Sequence, residues 1–270
     1  MKSIYTMGID IGSTSTKCVI LKDGLNIVSE SIIHLGAGTK GASEAMKAAI
    51  HNAGINNSDV DYIVSTGYGR NSFDLANKTM SELSCHAKGG VFIFGNINTI
   101  IDIGGQDVKV LKLSEGQLLN FIMNDKCAAG TGRFLEVMAR VLDVDLNEMG
   151  ELDNKATERI SISSTCTVFA ESEVISSMAK KEPIPNIIKG IHYSVASRVS
   201  SLSKRINIVE PVAMTGGVSK NKGIVDALSK ELNTEIKINE KSQIAGAIGA
   251  SLYAFEEYKK IVEGDSNEHS

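Results

Sequence analysis

The segment IDIGSTSTKCVILKDG runs from Ile9 to Gly24 and returns without a gap as IDIGGQDVKVLKLSEG from Ile101 to Gly116. Both copies begin with Ile-Asp-Ile-Gly, carry a lysine at the ninth position and end with an acidic residue before glycine. In each copy an apolar strand runs into a short polar turn, and a second apolar strand follows and ends in a hairpin turn. A common strand ending could match by chance, but the lysine and the hairpin make chance a poor explanation. The repeat therefore predicts a duplicated strand–turn–strand unit.

A second pair of matching segments lies further along the chain. VSTGYGRN at Val64–Asn71 and AMTGGVSKN at Ala213–Asn221 each read as a strand that ends in Thr-Gly before a helix. This pair is offset by 149 residues and the first pair by 92, so the second half carries 57 additional residues. The additional residues lie between the two conserved elements of the second half, and they contain Cys127 and Cys166.

Duplicated strand–turn–strand units that are each followed by helices predict an α/β protein. We expect two similar domains with a nucleotide cleft between them. The first domain is expected to span residues 1–97 and to include a C-terminal helix at 244–270. The second is expected to span residues 98–243 and to carry the additional segment with the two cysteines. A chain of 270 residues is long enough for both.

Composition excludes several classes of function. A formal net charge of −4 does not suit a protein that binds nucleic-acid phosphates through clustered lysine and arginine, so we expect no nucleic-acid partner. No apolar run approaches the ~20 residues of a membrane span, and MKSIYTMGID leads directly into a strand rather than a signal peptide. We therefore expect no membrane partner and a cytoplasmic location, where four cysteines would not form a disulfide framework.

The polar turn of the first copy has the composition of a phosphate-binding loop. Its glycine lets the backbone approach a ligand, its hydroxyl residues offer hydrogen-bond donors, and the lysine on the next strand adds positive charge. The predicted phosphate contacts from this turn are Gly12, Ser13, Thr14, Ser15 and Lys17. Gly104 and Gly105 repeat the arrangement in the second domain, so two facing loops are expected to hold the phosphates of one nucleotide.

Each copy has one aspartate near the end of its first strand, at the mouth of the predicted cleft. The carboxylates of Asp10 and Asp102 offer hard oxygen ligands, which suit Mg²⁺ held directly or through water. We therefore predict catalytic roles for both. Gln106 or Asp107 is the predicted residue that orients the attacking water, a choice that rests on position alone.

The segment TGGVSKN at Thr215–Asn221 predicts the adenosine site, because two glycines leave bare backbone against which a flat base can lie. The predicted contacts from this segment are Gly216, Gly217, Val218 and Asn221. Gln243 precedes a C-terminal helix rich in small residues and is expected to approach the adenine. Each loop alone is a weak signal, whereas their order along the chain is a strong one.

The four cysteines differ in their surroundings. Cys18 lies among apolar strand residues and is predicted to belong to the core, and Cys85 in SELSCHAKGG is predicted to be structural as well. Cys127 and Cys166 each precede a predicted helix. The positive end of the helix dipole lowers the pKa of a thiol at such a position and favours added negative charge.

The stretch NDKCAAGTGRF at Asn124–Phe134 places Cys127 directly before a Gly-Thr-Gly. Gly130 and Gly132 are expected to leave backbone N–H groups open at the start of the helix, facing sulfur and iron. The residues alone leave two interpretations open: Cys127 and Cys166 are ligands of an iron–sulfur cluster, or they are buried or redox-active thiols.

These motifs resemble those of a known superfamily and, within it, of one family. The paired loops and the adenosine motif resemble actin, Hsp70 and the sugar kinases, whose two ribonuclease H-like domains clamp ATP. NDKCAAGTGRF and SSTCTVFAESEVIS are more specific, because they resemble the activator ATPases of 2-hydroxyacyl-CoA dehydratases, relatives of the ATP-hydrolysing subunits of benzoyl-CoA reductase. The likeness runs from Tyr5 to Tyr253, and TGYGRN, SELSCHA and DIGGQDVK also fit.

The resemblance implies a homodimer that holds one [4Fe–4S] cluster on its two-fold axis, with Cys127 and Cys166 of each subunit as ligands. It also implies that binding and hydrolysis of ATP with Mg²⁺, to leave ADP, drive electron transfer. The electron would pass from a reduced ferredoxin or flavodoxin to a partner 2-hydroxyacyl-CoA dehydratase. A rotation of the two domains would expose the cluster to that partner. Specificity for the acyl group would lie in the partner rather than in this chain.

Two functions from other classes remain open at this point. A small sugar or acetyl kinase of the same superfamily would turn over ATP with a small-molecule acceptor. A binding module of the Hsp70 type would hold a peptide and need no metal. Both predict a colourless, iron-free protein.

Overall fold

The computed structural model describes residues 3–163 and 166–268 of the chain. Two compact units make up the structure. Unit 1 consists of Met1–Gly95 together with Ile244–Ser270, and unit 2 consists of Asn96–Gln243. No helix among the described residues combines the length and the apolar character that a membrane crossing requires.

The regular elements alternate between strands and helices, as expected for an α/β protein. The strands of the described residues are β1 (Tyr5–Ile11), β2 (Thr16–Lys22), β3 (Asn26–Ile33), β4 (Val60–Thr66), β5 (Lys78–Thr79), β6 (Thr99–Ile103), β7 (Val108–Ser114), β8 (Gln117–Asn124), β9 (Val212–Thr215) and β10 (Ile236–Lys237). The α-helices are α1 (Gly41–Ala53), α2 (Glu82–Phe94), α3 (Gly132–Leu142), α4 (Met149–Asp153), α5 (Thr167–Ala179), α6 (Ile184–Lys204), α7 (Lys222–Leu232) and α8 (Ala245–Glu268).

Unit 1 is built on a five-stranded sheet in the order β3-β2-β1-β4-β5. β1 is antiparallel to β2 and parallel to β4. The buried residues Ala45, Met46 and Ala49 of α1 pack on the apolar side chains of β1 and β2. α2 and α8 pack together on the same sheet, and glycines let their backbones approach closely. A Cβ atom at Gly89 of α2 would lie 1.9 Å from the carbonyl oxygen of Ala245.

Unit 2 repeats this sheet with the order β8-β7-β6-β9-β10. β6 is antiparallel to β7 and parallel to β9, as β1 is to β2 and β4. Between its third and fourth strands unit 1 has α1, whereas unit 2 has α3, α4, α5 and α6. The additional residues of the second half therefore form helices. They join one core, in which Phe134, Met138 and Val195 pack with Ile101 and Met214 of the sheet.

The two sheets also share the register of the sequence repeat. Asp10 lies opposite Lys17 across β1 and β2, and Asp102 lies opposite Lys109 across β6 and β7. Since residues directly opposite each other in a sheet present their side chains to the same face, each aspartate and its lysine are neighbours. The duplicated strand–turn–strand unit is confirmed in its topology and in its register.

The hairpin that ends each copy turns through an acidic residue and a glycine. The two central residues of the first hairpin, Asp23 and Gly24, have φ values of 55° and 70°. Those of the second, Glu115 and Gly116, have φ values of 50° and 76°. Positive φ at both positions defines the turn that matches the twist of antiparallel strands, and it explains why an acidic residue is followed by glycine in both copies.

Candidate functional site

The turn between β1 and β2 is held by its own backbone and by one neighbouring loop. The N–H of Gly12 donates to the carbonyl oxygen of Ser15 at 3.1 Å, and the carbonyl oxygen of Gly12 accepts from Ala37 at 2.9 Å. Ser13 and Thr14 are half-buried, whereas Ser15 is buried. The turn is therefore closed into one conformation, with its two central residues accessible to a ligand.

Asp10 stands beside this turn with one carboxylate oxygen unused. Its Oδ2 lies 3.6 Å from Nζ of Lys17. Its Oδ1 is buried and has no hydrogen-bond partner among the described residues. Glycines keep its surroundings narrow: a Cβ at Gly67 would lie 2.5 Å from Oδ1, and one at Gly246 would lie 3.0 Å from Oδ2. A buried carboxylate oxygen without a partner fits a cation or a cation-bound water.

Asp102, the equivalent residue of unit 2, is already engaged by protein groups. Thr215 donates its hydroxyl to Oδ1 at 2.7 Å, and Lys109 donates to Oδ2 at 3.5 Å. Lys109 is only 1% exposed, and its Nζ also lies 2.7 Å from Oδ2 of Asp107. The repeat thus places an aspartate and a lysine at both positions, but Asp102 serves a buried ion-pair network.

The turn between β6 and β7 resembles its counterpart in unit 1. The N–H of Gly104 donates to the carbonyl oxygen of Asp107 at 2.9 Å and closes the turn. Gly105 is half-buried beside it, and the side chain of Gln106 is exposed. Because the Asp107 carboxylate is paired with Lys109, Gln106 is the better placed of the two residues predicted to orient water.

The carbonyl groups of this turn bind the first N–H groups of α3. Gly132 donates its N–H to the carbonyl oxygen of Gly104 at 2.9 Å, and Arg133 donates to that of Gly105 at 2.8 Å. The first N–H groups of a helix have no partner within the helix, so the turn satisfies two of them. The expectation that Gly130 and Gly132 leave N–H groups open toward sulfur and iron is wrong for Gly132.

The segment that follows β9 has the backbone geometry expected of a close-approach loop. Gly216 has a φ of 83°, and a Cβ there would lie 2.3 Å from the carbonyl oxygen of Ile103. The Gly216 N–H donates to the carbonyl oxygen of Ser242 at 3.1 Å. A Cβ at Gly217 would lie 3.5 Å from Nε2 of Gln243, whose Oε1 is buried without a hydrogen-bond partner in the described part of the chain.

The two remaining residues of the predicted adenosine segment have protein contacts. Val218 is buried, and its Cγ2 would lie 3.4 Å from a Cβ at Gly132, so the segment also packs against the start of α3. Asn221 caps α7, because its side chain accepts the N–H of Ile224 at 3.2 Å. Its amide nitrogen lies 3.1 Å from Nε2 of His192, so both amide groups of Asn221 are used within the protein.

The four cysteines are free thiols that fall into two classes. Cys18 and Cys85 are fully buried, as predicted. Burial raises the pKa of the Cys18 thiol far above its usual range, and burial is also the main cause that raises the pKa of Cys85 to about 12. Cys127 and Cys166 are half-buried and accessible. Thiols of the first class stay protonated at neutral pH and are closed off from solvent, so the second class contains the candidate metal ligands.

Cys127 and Cys166 lie close to the starts of two helices that pack together. Cys166 is the N-cap residue of α5, and its carbonyl oxygen accepts from Ala170 at 3.0 Å. Cys127 precedes α3 by a short loop, and its carbonyl oxygen accepts from the Asn124 side chain at 3.0 Å. Within residues 3–163 and 166–268 no group of three or more potential ligands could hold a metal ion. One chain therefore offers two thiols, half of the set that a [4Fe–4S] cluster requires.

The backbone before Cys166 is held by contacts that the sequence did not predict. Ser163 donates its N–H to Oε2 of Glu173 at 2.6 Å, and its carbonyl oxygen accepts from the Ser194 hydroxyl at 2.9 Å. α5 and α6 thus both hold this segment. Ser164 and Thr165, which belong to the SSTC motif, lie outside the described residues.

The outer surface of α5 is apolar next to Cys166. Val168 is 65% exposed and Phe169 is 62% exposed. Ile175 is exposed further along the same helix. Neighbouring exposed apolar side chains of this size are typical of a surface that contacts another protein.

A comparison with protein families and known proteins gives consistent matches. The profile of the BadF/BadG/BcrA/BcrD ATPase family matches residues 7–254. The (R)-2-hydroxyglutaryl-CoA dehydratase activating ATPase of Acidaminococcus fermentans is 54% identical over 259 residues, which are 96% of this chain and 100% of that protein. The activator of the 2-hydroxyisocaproyl-CoA dehydratase from Clostridium difficile, solved with bound ADPNP, is 53% identical with a TM-score of 0.95. That match covers 97% of this chain and 98% of the other.

More distant structures share the fold only. A ROK family glucokinase from Streptomyces griseus, solved with glucose and AMPPNP, is 14% identical with a TM-score of 0.57. The match covers 93% of this chain and 99% of that one. At such low identity the likeness concerns architecture, and it confirms the predicted α/β class of the actin, Hsp70 and sugar-kinase type.

Proposed function

Because the chain belongs to the BadF/BadG/BcrA/BcrD ATPase family, we propose that it is an ATPase that activates a 2-hydroxyacyl-CoA dehydratase. The observation that carries the proposal is the 54% identity with the Acidaminococcus fermentans activating ATPase over 96% of this chain and all of that protein. The resemblance inferred from the sequence motifs is confirmed at the level of the family. The similar proteins name two different acyl groups, so the proposal extends to the 2-hydroxyacyl-CoA class and not to one member.

We propose that this chain binds ATP through the residues predicted from its sequence. The turn between β1 and β2 would hold phosphate through Gly12 to Ser15, with Lys17 as the nearby positive charge. In unit 2 the phosphate contacts would come from Gly104 and Gly105. The adenosine would lie on Gly216, Gly217 and Val218, and the Oε1 of Gln243, buried without a partner among the described residues, would accept from the adenine amino group. Binding of ADPNP by the similar activator supports this assignment.

Mg²⁺ would be held at Asp10. The support is the buried Oδ1 of that carboxylate, which has no hydrogen-bond partner in the described part of the chain. Asp102 would act indirectly, because Thr215 and Lys109 already use its two oxygens. When bound, Mg²⁺ would supply positive charge to the phosphates, and the protein contributes the position of the Asp10 carboxylate and of the β1–β2 turn.

We further propose that two copies of this chain hold one [4Fe–4S] cluster through Cys127 and Cys166 of each copy. The donor set fits, because the two thiols are accessible, lie near the starts of helices that pack together and are half the number required. The exposed Val168 and Phe169 beside Cys166 suit a surface that a second copy covers. When bound, the cluster would supply a low-potential carrier for one electron, with ferredoxin or flavodoxin as the donor.

Binding or loss of the nucleotide would affect the loop that contains Cys127 through the hydrogen bonds between the β6–β7 turn and α3. A turn that shifts when a γ-phosphate is bound or lost must move the N–H groups of Gly132 and Arg133 with it, or break those bonds. Since α3 follows the Cys127 loop directly, this movement changes the surroundings of the thiol. A reducing cytoplasm is the proposed location, in keeping with four free cysteines.

The proposed function is tested with protein purified anaerobically after expression of the full chain. We expect about four irons per dimer, a brown colour, and ATP hydrolysis that accompanies one-electron reduction of a 2-hydroxyacyl-CoA dehydratase. The assay uses several candidate dehydratases with reduced ferredoxin or flavodoxin. A folded, colourless protein whose ATP turnover requires a sugar or acetate would overturn the proposal.

Replacing Gln106 by alanine is expected to lower kcat for ATP hydrolysis by about 100-fold, because an attacking water loses its orienting group. The dissociation constant of ADP should stay the same, since the side chain is exposed and lies outside the proposed phosphate contacts. Asp107→Asn is the comparison variant. It should lower the midpoint of thermal unfolding, because it weakens the ion pair with the buried Lys109. A Gln106→Ala variant with normal kcat would contradict this assignment.

Replacing Gly132 by proline is expected to uncouple nucleotide binding from the Cys127 segment. Proline suits the first position of a helix and the position after an extended residue such as Thr131, but it has no N–H to donate to Gly104. Its Cδ also lies where the donated hydrogen pointed, so the ring pushes the Gly104 carbonyl away and separates the β6–β7 turn from α3. We expect ADPNP to change the rate at which iodoacetamide alkylates Cys127 in the cluster-free protein, and Gly132→Pro to remove that change.

Gly132→Ala is the matched control, because it adds a methyl group and keeps the N–H. A Cβ there lies 3.1 Å from the carbonyl oxygen of Gly104, so this carbonyl has to give by a few tenths of an ångström while it keeps the hydrogen bond. Mass spectrometry of the alkylated peptides separates Cys127 from Cys166. If ADPNP alters alkylation of Cys127 equally in both variants, the hydrogen bonds do not carry the coupling.

A further inference from the structure

A buried pair of titratable side chains in unit 2 takes no part in the chemistry proposed so far. His192 lies in the middle of α6 and is 0% exposed. Its Nδ1 is 3.2 Å from Oδ2 of Asp153, the last residue of α4. The other carboxylate oxygen of Asp153 is buried and has no hydrogen-bond partner among the described residues. The two residues are far apart in sequence, and no local pattern draws attention to them.

The second ring nitrogen of His192 reaches the end of the proposed adenosine loop, Gly216–Asn221. Its Nε2 lies 3.1 Å from the amide nitrogen of Asn221. Asn221 ends the 3₁₀ turn Gly217–Lys220 and is the N-cap of α7. The loop and the start of α7 are therefore joined to α6 through one histidine.

The donors and acceptors of this chain of hydrogen bonds can be ordered from one end. The N–H of Ile224 is a donor, so the atom of Asn221 that meets it at 3.2 Å is the carbonyl oxygen Oδ1. The NH₂ group of Asn221 then points at His192, and Nε2 must accept. The ring proton is consequently on Nδ1, where it is donated to Asp153. Each group in this chain is thus either a donor or an acceptor. A side chain at position 192 that cannot accept from the Asn221 amide removes one hydrogen bond of Asn221.

Packing leaves this arrangement little freedom. A Cβ at Gly223 of α7 would lie 2.4 Å from Nδ1 of His192 and 2.6 Å from Oδ2 of Asp153. A Cβ at Gly150 of α4 would lie 3.2 Å from Oδ1 of Asn221. Three helices thus meet at the His192 ring, and the start of α7 is pressed directly onto the bond between His192 and Asp153.

We infer that His192 is a positioning residue for the adenosine loop: it orients Asn221 through Nε2, while Asp153 fixes the ring through Nδ1. This inference rests on the proposed function, because it takes the Gly216–Asn221 loop as the site for adenosine. Asn221 then contributes to nucleotide binding through the conformation it imposes on the loop, and its side chain does not need to touch the ligand.

Two conservative replacements separate the roles of the ring nitrogens. In His192→Gln the terminal amide reaches the place of Nε2 and can accept from Asn221. In His192→Asn the amide reaches the place of Nδ1 and can bond only Asp153. We expect the dissociation constant of ADPNP, measured by calorimetry on the full chain, to rise about tenfold in His192→Asn, the equivalent of one buried hydrogen bond. In His192→Gln it should remain within about threefold of the original value.

Ser200→Ala is the matched control on the same helix pair. The buried Ser200 hydroxyl donates to the carbonyl oxygen of Glu231, at the opposite end of α7 from the loop, at 3.5 Å. Ser200→Ala should lower the thermal midpoint and leave ADPNP binding unchanged. Equal affinity in His192→Asn and His192→Gln overturns the inference, as does a loss of affinity in Ser200→Ala that matches the loss in His192→Asn. If the unaltered protein binds neither ADPNP nor ADP, the proposed function fails and the inference fails with it.

Discussion

Replacing Cys127 or Cys166 by serine is expected to leave a folded, colourless protein that still binds ADPNP but holds almost no iron. Each substitution would remove two of the four thiolates of the proposed cluster, because both chains of the proposed dimer would carry it. A serine hydroxyl is a harder and far weaker acid than a thiol, so it does not replace a thiolate on iron. Iron and sulfide per dimer after anaerobic reconstitution should fall from about four of each to near zero.

Cys18→Ala and Cys85→Ala are the controls for this experiment. Both thiols are fully buried, and the pKa of Cys85 is raised to about 12, so neither is a thiolate at neutral pH. Their replacement should cost about 1 kcal/mol of stability through the small cavity that is left, and the iron content should not change. Four irons retained by Cys127→Ser, or iron lost by Cys85→Ala, would contradict the assignment of ligands.

Loss of the cluster in these variants should also separate ATP hydrolysis from electron transfer. Cys127 and Cys166 lie outside the residues proposed to bind ATP, so hydrolysis without electron transfer is the expected state of the serine variants. An ATPase that stops completely when the cysteines are changed would mean that the thiols support the structure of the nucleotide site.

The duplication of the fold could be predicted from sequence because both copies share the same pattern of strand, turn and hairpin residues. The offset between Ile9 and Ile101 predicted two equivalent hairpins, and the hydrogen-bond register pairs aspartate with lysine in both. The same comparison located the additional residues between β8 and β9, where the second half has four α-helices, α3 to α6, and the first half has one. Strand ends, turns and helix starts each depend on the residue types at a few consecutive positions, so they can be predicted without a structure.

The asymmetry between the two halves could not be predicted in this way. Asp10 and Asp102 occupy equivalent positions, yet Asp102 is bonded by Thr215, which is 113 residues away. Likewise the N–H groups of Gly132 and Arg133 at the start of α3 donate to the β6–β7 turn, although the sequence predicted that Gly132 would leave its N–H open. Such hydrogen bonds depend on which elements packing brings together. They join residues that are far apart in the sequence, so no local sequence pattern predicts them.

This asymmetry leads to the second large effect that we expect, at Asp10. Asp10→Asn should lower kcat for MgATP hydrolysis by about 1,000-fold, because the amide cannot provide the charge that holds Mg²⁺ against the phosphates. Folding should hardly suffer, since the buried Oδ1 has no hydrogen-bond partner among the described residues. We expect the free energy of unfolding to change by less than about 1 kcal/mol, because loss of the 3.6 Å ion pair with Lys17 is offset by no longer burying a charged oxygen that lacks a partner among the described residues.

Asp102→Asn should have the opposite effect, with a large loss of stability and a small loss of activity. Lys109 is almost completely buried and would lose one of the carboxylates that neutralise it, which should cost about 3 kcal/mol of stability. Its kcat, measured well below the unfolding temperature, should fall by less than about tenfold, because Asp102 acts through other groups. Denaturant unfolding and steady-state hydrolysis of the two variants, at several Mg²⁺ concentrations, provide the comparison. If Asp102→Asn loses as much activity as Asp10→Asn while remaining stable, both carboxylates contact the metal, and the bonds from Thr215 and Lys109 do not prevent it.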